Sequence, residues 1–173
     1  MISTDYKIEA LDILLDKTCL SERFYPLTEY KDLLLTGLLR LGCRTKSDAE
    51  LLSDEVLLGL GLDSVETVAL FRRFLGLYDP KTQKFREIVK VTSDPEKQAA
   101  YTELYHLPGV KQTRASLYYR AGYKSIEAFS GTTVDEILEK TARVISENGL
   151  TCIVPLPKEV RTHIAVAKAF TLK

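Results

Sequence analysis

Apolar side chains recur three or four positions apart along nearly the whole chain, the spacing of amphipathic helices. Ile8, Leu11 and Leu15 share one face of a helix predicted over 5–16, with Asp12 and Asp16 on other faces. The Leu-rich run from Leu27 to Leu41 begins beside Pro26 and Thr28 and meets a glycine stop at Gly42. Ser47-Asp48-Ala49-Glu50 opens a short helix through Leu52, and Ser53-Asp54-Glu55 caps another that ends before Gly59. Ser64, with Glu66 after it, suits the N-cap and acidic first turn of a helix running to about Leu75. Pro95 fits the first turn of a helix that reaches about His106. After the Leu107-Pro108-Gly109 turn, helices are predicted over Lys111–Ala121, Ser125–Phe129, Thr133–Glu147 and Pro157–Phe170. Thr151 to Pro155 is the only strand-like run, too short to make a sheet by itself. Gly76, Asp79-Pro80 and Asp94-Pro95 mark a connector, with room for a short helix around Lys84–Val91. The pattern predicts an all-α fold of short helices joined by glycine-stopped turns.

An internal recurrence underlies the pattern. Arg40-Leu41-Gly42-Cys43-Arg44-Thr45 matches Arg120-Ala121-Gly122-Tyr123-Lys124-Ser125 at a shift of 80 positions. Asp54-Glu55-Val56-Leu57 matches Asp135-Glu136-Ile137-Leu138 at a shift of 81. Each block reads as helix, glycine stop, short helix, short loop, helix, which points to two copies of one supersecondary unit. The organisation expected is an N-terminal helical unit over 1–80, a connector over 81–95, and a second unit with a C-terminal helix over 96–173.

Leu107-Pro108-Gly109-Val110-Lys111-Gln112-Thr113-Arg114-Ala115 carries a mechanism. It resembles the hairpin of helix-hairpin-helix DNA-binding proteins, whose pattern is apolar, Pro, Gly, apolar, Gly, three variable positions and Ala. Arg114-Ala115, Leu117-Tyr118 and Ala121-Gly122-Tyr123-Lys124-Ser125-Ile126 look like the usual continuation. In such a hairpin, glycines let backbone N–H groups approach a phosphate, and the start of the next helix adds unpaired N–H groups and a positive dipole end. Lys111 stands where the family has its second glycine. The first block resembles the C-terminal domain of the bacterial RNA polymerase alpha subunit, through Leu38-Leu39, Gly42, Thr45, Glu50-Leu51-Leu52 and Leu60-Gly61-Leu62-Asp63-Ser64. Asp63 occupies a position that is usually basic there, and Leu33 falls where that family has an arginine. Together the chain resembles a bacterial family built from two such units. The resemblance implies two small helix-hairpin-helix or SAM-like helical units in tandem, over roughly 27–75 and 104–146.

Composition narrows the functional classes. With 45% hydrophobic and 28% charged residues, nine Gly and six Pro in 173 residues, the chain is neither disordered, collagen-like nor a disulfide scaffold. No apolar run is long enough to span a membrane, and Met1 to Tyr6 lacks the basic and apolar regions of a signal peptide. Cys19, Cys43 and Cys152 are odd in number, far apart and without metal-ligand spacing, as free thiols in a reducing cytoplasm are. The formal net charge is zero but uneven: 1–106 hold 14 basic against 18 acidic side chains, net −4, and 107–173 hold 10 against 6, net +4. A polyanion would therefore meet the second half. Tyr101, Tyr105, Tyr118, Tyr119 and Tyr123 cluster around the hairpin, either as half-buried packing or as platforms for unpaired bases. Lys158, Arg161 and Lys168 beside His163 form either a basic face or a solvated helix surface. His106 and His163 are the only histidines, and there is no Gly-rich loop followed by Lys-Ser or Lys-Thr, no nucleophile elbow and no His-Glu-x-x-His. Nothing in the spacing supports a Cys152–His163 pair.

The expectation is a non-catalytic, cytoplasmic protein without cofactor. Its hairpin would meet a DNA or RNA backbone without sequence preference, through Gly109, Val110, Lys111, Gln112, Arg114 and Lys124. Gly61, Leu62 and Ser64 would form the weaker counterpart in the first unit. The alternative is a protein-interaction adaptor that has kept the fold and lost DNA binding, with the acidic first unit recruiting the partner.

Overall fold

A computed structural model describes residues 4–77 and 92–173. Among these residues there are ten α-helices, and the only β pairing is one isolated antiparallel bridge between Lys7 and Thr45. By contacts the described residues divide into one unit of 4–77 with 169–173 and another of 92–168. The last five residues thus group with the first unit rather than with the second, and Phe170 there stacks on Tyr6 with centroids 6.3 Å apart. The predicted connector helix around Lys84–Val91, and Asp79-Pro80, lie outside the described residues.

The first unit holds α1 (Leu11–Leu14), α2 (Lys31–Arg40), α3 (Lys46–Glu50), α4 (Asp54–Gly59) and α5 (Val65–Gly76). The helix expected over 5–16 is shorter than its apolar spacing suggests. Ile8 N–H donates to the Arg44 carbonyl and Lys46 N–H to that of Tyr6, so 6–8 are drawn out alongside 44–46. A 3-10 turn over Ile8–Ala10 then leads into α1. The run from Leu27 also starts differently: Glu22–Tyr30 is 3-10 helix with Pro26 inside, and α-geometry begins only at Lys31. Ser53 and Ser64 cap α4 and α5, accepting from Val56 N–H at 3.3 Å and Thr67 N–H at 3.1 Å. Phe24, Leu27, Leu34, Leu38, Phe71 and Phe74 fill the core, with Phe24 edge-on to Phe74 at 5.8 Å.

The second unit holds α6 (Pro95–Leu104), α7 (Gln112–Arg120), α8 (Ile126–Ser130) and α9 (Val134–Asn148), with α10 (Pro157–Thr171) following. Asp94, Ser125 and Thr133 cap α6, α8 and α9. Tyr118 and Phe129 meet edge-to-face at 4.8 Å in the core, a geometry that adds about 0.5–1.5 kcal/mol beyond area burial. The strand expected at Thr151–Pro155 is not formed: the segment pairs with no strand, and its Ile153 carbonyl accepts from the Arg114 guanidinium at 3.0 Å.

The two units share local geometry 80 positions apart. Leu41, Gly42 and Cys43 donate to Gly37, Leu39 and Leu38, and Ala121, Gly122 and Tyr123 donate to Leu117, Tyr119 and Tyr118. Both are Schellman stops, with Gly42 at φ +83° and Gly122 at φ +98°. Buried positions recur at the same shift: Leu20 and Ala100, Phe24 and Leu104, Leu27 and Leu107, Leu38 and Tyr118, Cys43 and Tyr123, Ala49 and Phe129, Leu57 and Ile137. The caps Ser53 and Thr133 are also 80 apart, so the acidic pairs matched at 81 are one step out of register. Asp54 is the first residue of α4, whereas Asp135 is the second of α9.

Candidate nucleic-acid interface

The hairpin is built by burying its apolar residues and turning the rest outward. Leu107 and Val110 are buried, while Gly109, Lys111, Gln112 and Thr113 are exposed. Gly109 sits at φ +73°, and a Cβ there would meet nothing within 4 Å. The glycine is needed for its left-handed backbone rather than for space. Lys111 is the extended N-cap of α7 and caps it with no side-chain hydrogen bond. Every other helix from α3 to α9 has its start closed by a side chain: Ser53, Ser64, Asp94, Ser125 and Thr133 accept directly, and Asp48 reaches back to the N–H groups of Arg44 and Thr45 at α3. The open N–H groups of α7 and its positive dipole end therefore face solvent beside the Lys111 ammonium.

Two expected contributors are committed elsewhere. Val110 N–H donates to the Leu107 carbonyl at 3.2 Å. Arg114 grips Glu159 in a bidentate pair along one edge of its guanidinium, Nε to Oε1 at 2.9 Å and Nη2 to Oε2 at 3.3 Å, with its side chain only 18% exposed. Its charge is compensated, and its geometric work is to tie α7 to the start of α10. Gln112 keeps an exposed position on the first turn, and Lys124 is exposed in the turn after α7. The Lys124 ammonium lies 5.2 Å from the centre of the Tyr119 ring.

His163 braces the hairpin from behind, a role that no local pattern signals. Its Nε2 lies 2.8 Å from the Pro108 carbonyl and its Nδ1 2.8 Å from the Tyr118 hydroxyl. A carbonyl can only accept, so Nε2 carries the proton and Nδ1 accepts from Tyr118. Burial pushes His163 below the ordinary histidine range, against a smaller upward pull from the Pro108 hydrogen bond and Glu159. Burial also drives the Tyr118 phenol well above its ordinary range. Both ring nitrogens of His163 are taken, so none is left to serve Cys152 as a base. Among the described residues no group of three or more His, Cys, Asp or Glu side chains is placed to hold a metal ion, and no helix is long and apolar enough to cross a membrane.

The turn before α5, where the weaker counterpart is expected, is anionic, and at the shift of 80 it falls on 141–144 within α9 rather than on the hairpin. Gly61 lies at φ +110°, and a Cβ there would come within 2.7 Å of Leu33 Cδ1. Leu33, at the position of the expected arginine, packs against that turn. Leu62 is buried. The Ser64 hydroxyl is occupied in capping α5. Asp63 accepts from Thr67 Oγ1 at 2.6 Å and from the Tyr30 phenol, contacts that hold its carboxyl below the usual carboxylate range. A comparison with family models, curated proteins and solved structures finds no match.

Proposed function

We propose that the protein binds nucleic-acid backbones without catalysis, through the turn from Gly109 to Thr113 in a second unit of helix-hairpin-helix type. The observation that carries this reading is the uncapped, solvent-facing start of α7, preceded by a left-handed glycine and flanked by the Lys111 ammonium. Contacts of this kind hold phosphates and carry no sequence information. Arg114 acts by bracing the turn and Lys124 by adding charge beyond it. The recurrence of glycine stops, caps and buried positions at 80 residues supports a tandem of two related units, and the first has Asp63 at a turn that is usually basic in the family it resembles.

The test is a titration of a labelled random-sequence 20-mer duplex with the natural chain and with Lys111→Glu. The variant is expected to weaken binding at least about tenfold and to lower the slope of log affinity against log salt by about one. Equal affinities would remove the hairpin from the interface.

A second reading, an adaptor for a protein partner, is favoured by the first unit, where Leu51 is 86% exposed and Leu39 and Leu41 are also solvent-facing. It predicts no binding by the natural chain even at low salt, and binding created by Asp63→Lys.

A further inference from the structure

The tyrosines of the second unit differ in what they meet. Tyr118 is buried with its hydroxyl on His163, Tyr123 is buried with its hydroxyl 3.3 Å from that of Thr132, and Tyr101 is buried. Tyr119 is half-buried. Its ring meets Tyr101 edge-on at 5.6 Å and 80°. Two ammonium groups lie over it: Lys97 Nζ at 5.8 Å and Lys124 Nζ at 5.2 Å from its centre. Three elements converge here, α6 with Lys97 and Tyr101, α7 with Tyr119, and the turn after α7 with Lys124.

Neither lysine forms an ion pair among the described residues. The contrast with Lys140 is instructive. Lys140 also lies over a tyrosine, Tyr123, but Glu136 neutralises it at 2.8 Å. That pair is complete in itself. At Tyr119 two cations share one ring, Lys97 lying also 5.6 Å from the centre of Tyr101, and among the described residues no carboxylate answers them.

We propose that Lys97, Tyr119 and Lys124 form a site for single-stranded nucleic acid, with one unpaired base stacked on the Tyr119 ring and the adjoining phosphates on the two ammonium groups. The inference rests on the nucleic-acid reading above. Tyr101 holds the ring in a fixed orientation, so little freedom is lost when a base stacks on it. Lys124 is exposed and Lys97 half-buried, and both have long flexible stems, so their ammonium groups can leave the ring face for a phosphate. A paired base has its faces covered by its neighbours in the duplex, whereas an unpaired one offers a face to an aromatic ring. Tyr119 lies seven residues beyond Gln112, about 10 Å along α7 at 1.5 Å per residue, so one strand can run from the hairpin to the ring.

The experiment measures affinity for labelled single-stranded 20-mers of DNA and of RNA, and for the DNA duplex, at two salt concentrations. The proteins are the natural chain, Tyr119→Ala, Tyr119→Phe, Lys97→Gln/Lys124→Gln and Lys111→Glu. Tyr119→Ala is expected to weaken single-strand binding by about tenfold with little change for the duplex, while Tyr119→Phe binds as the natural chain does. The double glutamine variant is expected to lower the single-strand salt slope by about 1.4, the loss of two phosphate contacts. DNA and RNA single strands binding alike would fit recognition of base face and phosphate alone, and a preference for either would place a further contact at the sugar. Unchanged single-strand affinity in both Tyr119→Ala and the double glutamine variant, with Lys111→Glu still impaired, would overturn this site and leave the hairpin reading intact. Absence of binding by the natural chain to every probe would overturn both. A Tyr119→Ala chain that fails to fold leaves the salt slope of the glutamine variant to decide.

Discussion

A carbonyl oxygen only accepts hydrogen bonds, and that constraint fixes the tautomer of His163. With Nε2–H on Pro108 and Nδ1 receiving the Tyr118 hydroxyl, the buried ring is neutral and its neighbours are all satisfied. His163→Ala leaves both partners unmatched inside the second unit and is expected to cost roughly 2–4 kcal/mol in urea unfolding. The pH dependence follows from the direction of the shift. His163 lies below its ordinary value of 6.5 in the folded chain, so the unfolded chain binds the proton first. Its contribution is complete above pH 6.5 and is lost as pH falls below it. His106, lowered by burial, acts in the same direction. The lowered carboxylates Asp48 and Asp63 act only further down, below their ordinary 3.8. His163→Gln, which does not titrate, is therefore expected to lose less stability than the natural chain between pH 7 and pH 5, and an identical profile would contradict the assignment. Gly109→Ala meets no neighbour but must hold φ +73°, so a loss of about 1 kcal/mol is expected from backbone strain alone. Gly109 and Lys111 were legible because hairpin signals are local. The His163 contact, spanning 55 positions, was not, since nothing in a sequence pairs a histidine with a distant carbonyl.

At the scale of elements, what could be read depended on whether the cause was local. Ser53, Ser64 and Ser125 announce their helices because a hydroxyl reaches only two or three residues ahead. Pro95 and Gly149 mark a start and a stop for equally local reasons. The failures have distant causes. The bridge of Lys7 with Thr45 draws out a stretch whose apolar spacing is helical. Thr151–Pro155 has the composition of a strand but no strand beside it, and Arg114 claims its central carbonyl. The same arginine was expected at a phosphate because its spacing fits the family hairpin, and Glu159, 45 positions away, determines otherwise. A double-mutant cycle of Arg114→Ala and Glu159→Ala is expected to give a coupling of about 1–2 kcal/mol, above the usual surface pair because both groups are largely shielded. Simple additivity would mean the grip does not hold α10 to α7.

At the scale of the whole chain, the zero net charge conceals two unlike halves, and the described turns carry that asymmetry down to single side chains. The second unit presents Lys111 at an open helix start and Lys97 and Lys124 around Tyr119; the first presents Asp63 at the turn before α5. All-α architecture was legible throughout, because the helical period rarely lapses. The matching of the two blocks was legible at the glycine stops and out of step at the caps, where composition resembles itself one residue away from the true register. If the second unit alone holds the nucleic acid, Asp63→Asn changes affinity by no more than about twofold, whereas an interface shared by both units gives a gain in both affinity and salt slope. The most direct measurement is the affinity of the natural chain for a random-sequence 20-mer duplex and its single strand at about 50 mM and 200 mM salt. Micromolar binding that falls steeply between the two concentrations is the expected result. No binding at the lower concentration would contradict phosphate recognition by the hairpin and turn the search toward a protein partner for the first unit.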